Sequence, residues 1–192
     1  MKKTSLWSIG CHGLKTKILY TMENLDLNKQ LLGVTALSAE YCHTLETCRD
    51  LEPHEFIMRM LNLLPRLYLA FTDVNPDEEQ FSLDEGEYFE SYVDEDFYDS
   101  IRRNVETLLG PDDTFLETFE ENMKYSDTPI AASISESLAD IFQPLFNFIS
   151  IVKDTEGEKM EAAYRECRED FESYWAQTLC NVLRALNFLK NQ

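Results

Sequence analysis

Apolar residues recur every three or four positions along most of the chain after residue 24. This spacing places them on one face of a helix, whereas a half-buried strand would alternate with a period of two. No stretch alternates for long enough to predict a strand. The pattern therefore predicts an all-α protein, an irregular bundle of six or seven helices in a single domain.

The first two predicted helices lie in the first third of the chain. The first runs from about Asp26 to Cys48, and Pro53 opens the second at a position where proline is favoured. Nearly every residue between Phe56 and Phe71 is apolar, which is typical of a helix in the centre of a core. Pro65 lacks an N–H and crowds the preceding turn, so we expect it to kink or divide this helix.

Two shorter helices are predicted in the middle of the chain. Asp94 is suited to cap the first of them, and Gly110 followed by Pro111 ends it. Thr114 and Glu117 have the spacing of a capping box, which predicts the start of a second short helix. Its apolar face would carry Phe115, Phe119 and Met123.

Two long helices are predicted in the last third. Ser133 and Glu136 form another capping box, and Pro144 should bend the helix that follows. The last helix runs from about Glu158 to Lys190. Its buried stripe is Met160, Tyr164, Cys167, Phe171, Trp175, Leu179, Val182, Leu186 and Leu189.

An acidic connector at residues 74–93 separates the second and third helices. The stretch Asn75–Ser100 holds eleven carboxylates, six aromatic rings and no Lys or Arg. An EF-hand loop beginning at Asp84 would place Gly86 and Tyr88 at ligand positions, which excludes that motif. We interpret the connector as a solvated segment whose aromatic rings dock on the core and whose acids cap the next helix. A docking surface for a basic partner is the alternative.

Composition and charge narrow the functional class. The chain of 192 residues is 44% hydrophobic, 28% charged and carries a net charge of −19. This acidity argues against binding to nucleic acid or to an anionic membrane surface, and it leaves open a protein partner of basic character, or no partner. None of the five cysteines forms a C-x-x-C pair, which predicts reduced thiols in a cytoplasmic protein.

The N-terminal segment differs in charge from the rest. The first 21 residues contain four lysines and no acid. The apolar run after Lys3 is too short for a signal peptide. Residues 1–24 are therefore predicted to be a disordered extension, and residues 25–192 to be the helical domain.

Two segments of the second half resemble a known family. They are SISESLADIFQPLFNF (Ser133–Phe148) and DFESYWAQTLCNVLRALNFL (Asp170–Leu189), with LLGPDDTF (Leu108–Phe115) as a third point of likeness. They resemble a bacterial domain-of-unknown-function family, number 5063, over Leu25 to the C-terminus. The family has a polar residue where Pro144 stands and a histidine where Asn187 stands. The resemblance implies an all-helical cytoplasmic protein and implies no activity.

One metal hypothesis comes from the first predicted helix. Glu40 and His43 form an E-x-x-H pair, and Glu46 extends the same face. Di-iron bundles use this spacing twice, because residues three apart project two ligands inward together. Here it occurs once. A metal site at these residues requires that all three side chains point into the bundle.

A ligand hypothesis comes from the last two helices. Glu136 and Asp140 lie opposite the core stripe of one helix, and Arg184 lies opposite the stripe of the other. If the two polar faces meet, Arg184 could hold Asp140 in a bidentate pair beside a pocket. Trp175 would be its apolar wall only if the last helix were rotated. Separate solvated faces and a structural salt bridge are the other interpretations.

The sequence favours a protein that binds rather than catalyses. It contains no G-x-S-x-G, G-x-G-x-x-G or P-loop motif, and no cofactor is predicted. The first hypothesis is a cytoplasmic, non-catalytic protein-interaction module. The second is a metal- or small-ligand-binding bundle, possibly an enzyme.

Overall fold

The described part of the chain forms five helices and one small sheet. The computed structural model describes residues 8–74, 89–117 and 130–191, with side chains from Leu27 onward. The first four helices are α1 (Ser8–Glu46), α2 (Pro53–Asp73), α3 (Glu95–Leu109) and α4 (Ile134–Asp154). The fifth, α5, joins Met160–Asp170, Phe171–Trp175 and Ala176–Lys190 without a break. The mainly helical class is confirmed, and the predicted count of six or seven helices is wrong for the described residues.

The count is lower because the short helix predicted after Thr114 is not formed and because Pro65 does not divide the second helix. Pro65 lies inside α2 and Pro144 inside α4, and each helix continues through its proline. In α5 the continuity depends on a π-helical turn at Phe171–Trp175. A π turn holds one extra residue within an otherwise α-helical path.

A two-stranded antiparallel sheet replaces the short helix predicted after Thr114. β1 (Thr114–Leu116) pairs with β2 (Ala131–Ser133), and Phe115 lies opposite Ala132. The Glu117 N–H continues the ladder by donating to the Ile130 carbonyl over 2.9 Å. The prediction of a helix at Thr114–Glu117 is therefore wrong, because pairing with a distant segment outweighs a local capping pattern. Phe119 and Met123 lie outside the described residues.

The core is built around α4. This helix packs against α1, α3 and α5, while α2 packs against α5 and α1. Buried hydrophobic side chains from all five helices form one cluster. Within it the Tyr41 hydroxyl donates to the Leu138 carbonyl over 2.8 Å, so even a fully buried phenol of α1 has a partner in α4.

Both described ends of the acidic connector are attached to the bundle. At its start, the Val74 carbonyl accepts hydrogen bonds from the Tyr164 hydroxyl and the Arg168 guanidinium. At its end, the Tyr92 hydroxyl donates to Asp154 over 2.9 Å. The predicted cap is present, because the Asp94 carboxylate accepts from the Phe97 N–H over 2.8 Å. Residues 75–88 of the connector lie outside the described residues.

The predicted domain boundary at residue 24 falls within α1, whose backbone is described from Ser8. The prediction of a disordered extension at residues 1–24 stays a prediction. Within the described ranges, no helix combines the length and the apolar character that a membrane span needs.

Candidate functional site

The polar faces of α4 and α5 do not form the predicted Arg184–Asp140 pair. The two helices run antiparallel, so Asp140 lies beside Tyr174 and the start of α4 lies beside the end of α5. Arg184 reaches instead to β1, where its Nη2 donates to the Leu116 carbonyl over 2.7 Å. Glu136 is exposed one turn before Asp140. Trp175 is fully buried and lines no described pocket.

Asp140 instead joins three helices through two tyrosines. Its Oδ1 accepts from the Tyr98 hydroxyl of α3, and its Oδ2 accepts from the Tyr174 hydroxyl of α5, each over 2.6 Å. Burial and the hydrogen bond to Asp140 raise the pKa of Tyr174 to about 12. The same causes raise the pKa of Tyr98. Both phenols therefore stay neutral, and their hydrogen bonds to Asp140 link α3, α4 and α5.

A groove between β1 and the end of α5 contains Arg184. We call it the β1–α5 groove, and its lining includes Asp112, Thr114, Phe115, Leu116, Ile134, Arg184, Phe188 and Leu189. Its volume is about 370 Å³, within the range of ligand pockets. The lining is mostly apolar, and Arg184, whose side chain is exposed, is its cationic member.

The rims of the β1–α5 groove expose large apolar side chains. Phe188 is 66% exposed and Leu116 is 57% exposed. A single exposed apolar residue is ordinary on a protein surface. Here, however, two of them flank one concavity, which is the arrangement expected of a docking site.

The backbone of β1 also faces this groove. Glu117 and Ile130 share a ladder hydrogen bond, so the neighbouring pair of Leu116 and Ala131 is a non-hydrogen-bonded one. The N–H and C=O of Leu116 therefore point away from β2. The hydrogen bond from Arg184 to the Leu116 carbonyl agrees with this direction. The groove thus offers both apolar walls and an outward strand edge.

The three predicted metal ligands lie on the solvent face of α1. Glu40, His43 and Glu46 are exposed. Glu40 pairs with Arg66 of α2 over 3.4 Å. The inward placement that a bundle metal site requires is not found at these residues. Within the described part of the chain, no three His, Cys, Asp or Glu side chains are grouped so that they could hold a metal ion.

The cysteines with described side chains are free thiols. Burial raises the pKa values of Cys42 and Cys167 well above that of an ordinary thiol. A thiol that resists ionisation is a weak nucleophile. Cys42 and Cys167 are therefore parts of the core rather than reactive groups.

Of the predicted ligand residues, only Arg184 lines the β1–α5 groove. Leu116 and Phe188 were missed. The signal for Phe188 is a large apolar residue on the polar face of the last helix, four residues after Arg184. Leu116 belongs to no predicted stripe, because the three-residue strand that positions it carries no periodic pattern.

Comparison with known proteins identifies relatives without a described activity. The family model described as a domain of unknown function, DUF5063, matches residues 26–192. The chain is 31% identical to the crystal structure of protein BF1032 from Bacteroides fragilis, with a TM-score of 0.71. That match covers 84% of this chain and 92% of the other. No curated protein matches. The chain therefore belongs to the DUF5063 family.

Proposed function

We propose that this protein is a cytoplasmic, non-catalytic interaction module that docks an extended segment of a partner protein in the β1–α5 groove. The observation that carries the proposal is the pair of exposed apolar side chains, Leu116 and Phe188, on the two rims of one concavity. A bound segment would remove both from water, at roughly 25 cal/mol per Å² of apolar area buried.

The strand edge explains why an extended segment fits. A peptide that adds to an exposed edge gains main-chain hydrogen bonds, and its alternate side chains enter pockets beside the edge. β1 directs the Leu116 N–H to this side, where the Leu116 carbonyl already accepts from Arg184, and Phe115, Ile134 and Leu189 supply apolar contact. The groove therefore supports recognition of backbone and of side chains together.

The charge of the chain favours a basic partner. At −19 the protein attracts positively charged chains and repels acidic ones. Asp112 is exposed and lines the groove, so a lysine or arginine flanking the bound segment would lie near an acid. Such complementarity chiefly increases the association rate and the selectivity of binding.

An array of synthetic extended peptides would test the proposal. If binding depends on the groove, Leu116→Ala and Phe188→Ala should each lower the affinity of the peptides that bind the intact protein by about fivefold or more. Leu32→Ala is the matched control, because Leu32 is 60% exposed and lies on α1. Peptides that bind all four proteins equally would refute docking in this groove.

A small-ligand pocket is the second candidate, and the groove volume of about 370 Å³ favours it. An apolar pocket with one convergent cation is typical of such sites. If the groove is a small-ligand pocket, small amphipathic anions should raise the unfolding temperature of the intact protein. Phe188→Ala should abolish this rise, and no peptide should bind.

A further inference from the structure

We infer that the β1–α5 groove recognises the free C-terminal carboxylate of the docked segment, with Arg184 and the Leu116 N–H as its donors. This inference rests on the proposed function and names the chemistry of the partner. It requires that the partner be bound through its last residues rather than through an internal stretch.

The position of Arg184 is the first reason. Its side chain crosses from α5 to β1, where Nη2 donates to the Leu116 carbonyl over 2.7 Å. A guanidinium has five N–H donors in a planar fork, so this bond occupies only one of them. Within the set that lines the groove, Arg184 is the cationic side chain.

The outward N–H of Leu116 is the second reason. It belongs to the same residue whose carbonyl holds Arg184, so the amide and the guanidinium lie side by side at one end of the groove. A carboxylate placed there would accept from both. Charge-assisted bonds of this kind are roughly twice as strong as neutral ones, and a backbone donor beside a cation is a known way to capture a chain end.

The edge of β1 is the third reason. A terminal carboxylate held beside Leu116 brings with it a main chain that can pair with that edge. The residues before it would run along the strand toward Thr114, and alternate side chains would face Ile134 and Phe188.

The first experiment prepares each array peptide twice, once with a free C-terminal carboxylate and once as the C-terminal amide. Fluorescence anisotropy then gives both dissociation constants for the intact protein. We expect the amide to bind at least tenfold more weakly. This comparison needs no variant, so it cannot be obscured by misfolding.

Variants of Arg184 then assign the effect. Arg184→Gln should bring the ratio of acid to amide affinity close to one, and Arg184→Lys should keep part of the preference because it retains the charge without the fork. Arg59→Gln is the matched control, since Arg59 is exposed and pairs with Glu55 within its own helix. It should leave the ratio unchanged.

The outcomes separate the two proposals. If a peptide binds in the groove with the same affinity as the free acid and as the amide, carboxylate recognition is overturned and the docking function stays in place. If the groove variants weaken the binding of no peptide, both the docking function and carboxylate recognition are overturned. A preference for the acid that survives Arg184→Gln would also overturn the role assigned to Arg184.

Discussion

The Asp113 carboxylate holds the N-terminus of α4 through Ser135. Its Oδ1 accepts from the Ser135 N–H over 2.8 Å, and its Oδ2 accepts from the Ser135 hydroxyl over 2.7 Å. Both residues are buried, and Asp113 immediately precedes β1. One side chain thus ties the sheet that forms one wall of the β1–α5 groove to the first turn of the central helix. The negative charge also lies at the positive end of the helix dipole.

Asp113→Ala should lower the free energy of unfolding by about 2 to 3 kcal/mol, because it removes two charge-assisted bonds and leaves buried donors of Ser135 unsatisfied. Urea denaturation with linear extrapolation measures the change. Asp112→Ala is the control and should stay within about 0.5 kcal/mol, since Asp112 is exposed. Equal losses in the two variants would contradict the assigned role of Asp113.

The Val74 carbonyl should show coupling between its two donors. Tyr164→Phe and Arg168→Gln each remove one donor and leave the other in place, so each should cost about 1 kcal/mol. The double variant removes both and should cost at least about 0.5 kcal/mol more than the sum. Strict additivity in a double-mutant cycle would show that the two side chains do not share this acceptor.

Stability should fall above pH 10 because of the phenols around Asp140. An unfolded tyrosine loses its proton near its ordinary pKa of 10.0, whereas the pKa of folded Tyr174 is raised to about 12. The unfolded chain therefore binds fewer protons between these values, and the free energy of unfolding decreases as the pH rises. Tyr174→Phe should make that decrease shallower.

Asp140→Asn tests the cause of the same shift. It removes the negative charge that opposes ionisation of Tyr174, so tyrosine absorbance should report an earlier ionisation step than in the intact protein. An unchanged titration curve would mean that Asp140 does not raise the pKa of its phenol partners.

We expect the exposed face of α1 to bind no metal ion that stabilises the fold. Because Glu40, His43 and Glu46 face solvent, His43→Ala should change the free energy of unfolding by no more than about 0.5 kcal/mol. Zn²⁺ should leave the unfolding temperature of the intact protein unchanged, since a bound metal would stabilise the folded state by mass action. A rise with Zn²⁺ that disappears in His43→Ala would restore the metal hypothesis.

Local signals in the sequence were sufficient for much of the fold. The caps at Asp94 and Ser133 are formed, since a capping side chain bonds to the backbone only two or three residues away. The stripe of the last helix is largely buried, and Trp175 lies within it as its spacing indicates. These features depend on residues that are close in sequence, so the spacing of apolar and capping residues is enough to predict them.

The groove depends on information that periodicity does not carry. A helical wheel shows that Arg184 and Asp140 lie on polar faces, but it does not show their heights along antiparallel helices. β1 is three residues long and is defined by its pairing with β2, so no local pattern reveals it. Leu116 and Arg184 meet only through these two long-range relationships.

A signal for the π turn was nevertheless present. Cys167, Phe171, Trp175 and Leu179 are spaced by four residues three times in succession. An ideal α-helix would rotate such a stripe progressively around its axis, because four residues exceed one turn of 3.6. The turn at Phe171–Trp175 absorbs the excess and keeps the stripe on the core.

The same π turn also determines the direction, around the helix axis, of every side chain that follows it in α5. Each residue of a helix advances the azimuth of the next by about 100°. The extra residue between Phe171 and Trp175 therefore sets the direction in which Arg184 and Phe188 leave the helix. The orientation of the groove side chains of α5 is therefore set by the phase of the helix at a turn that ends at Trp175, nine residues before Arg184, the first of them.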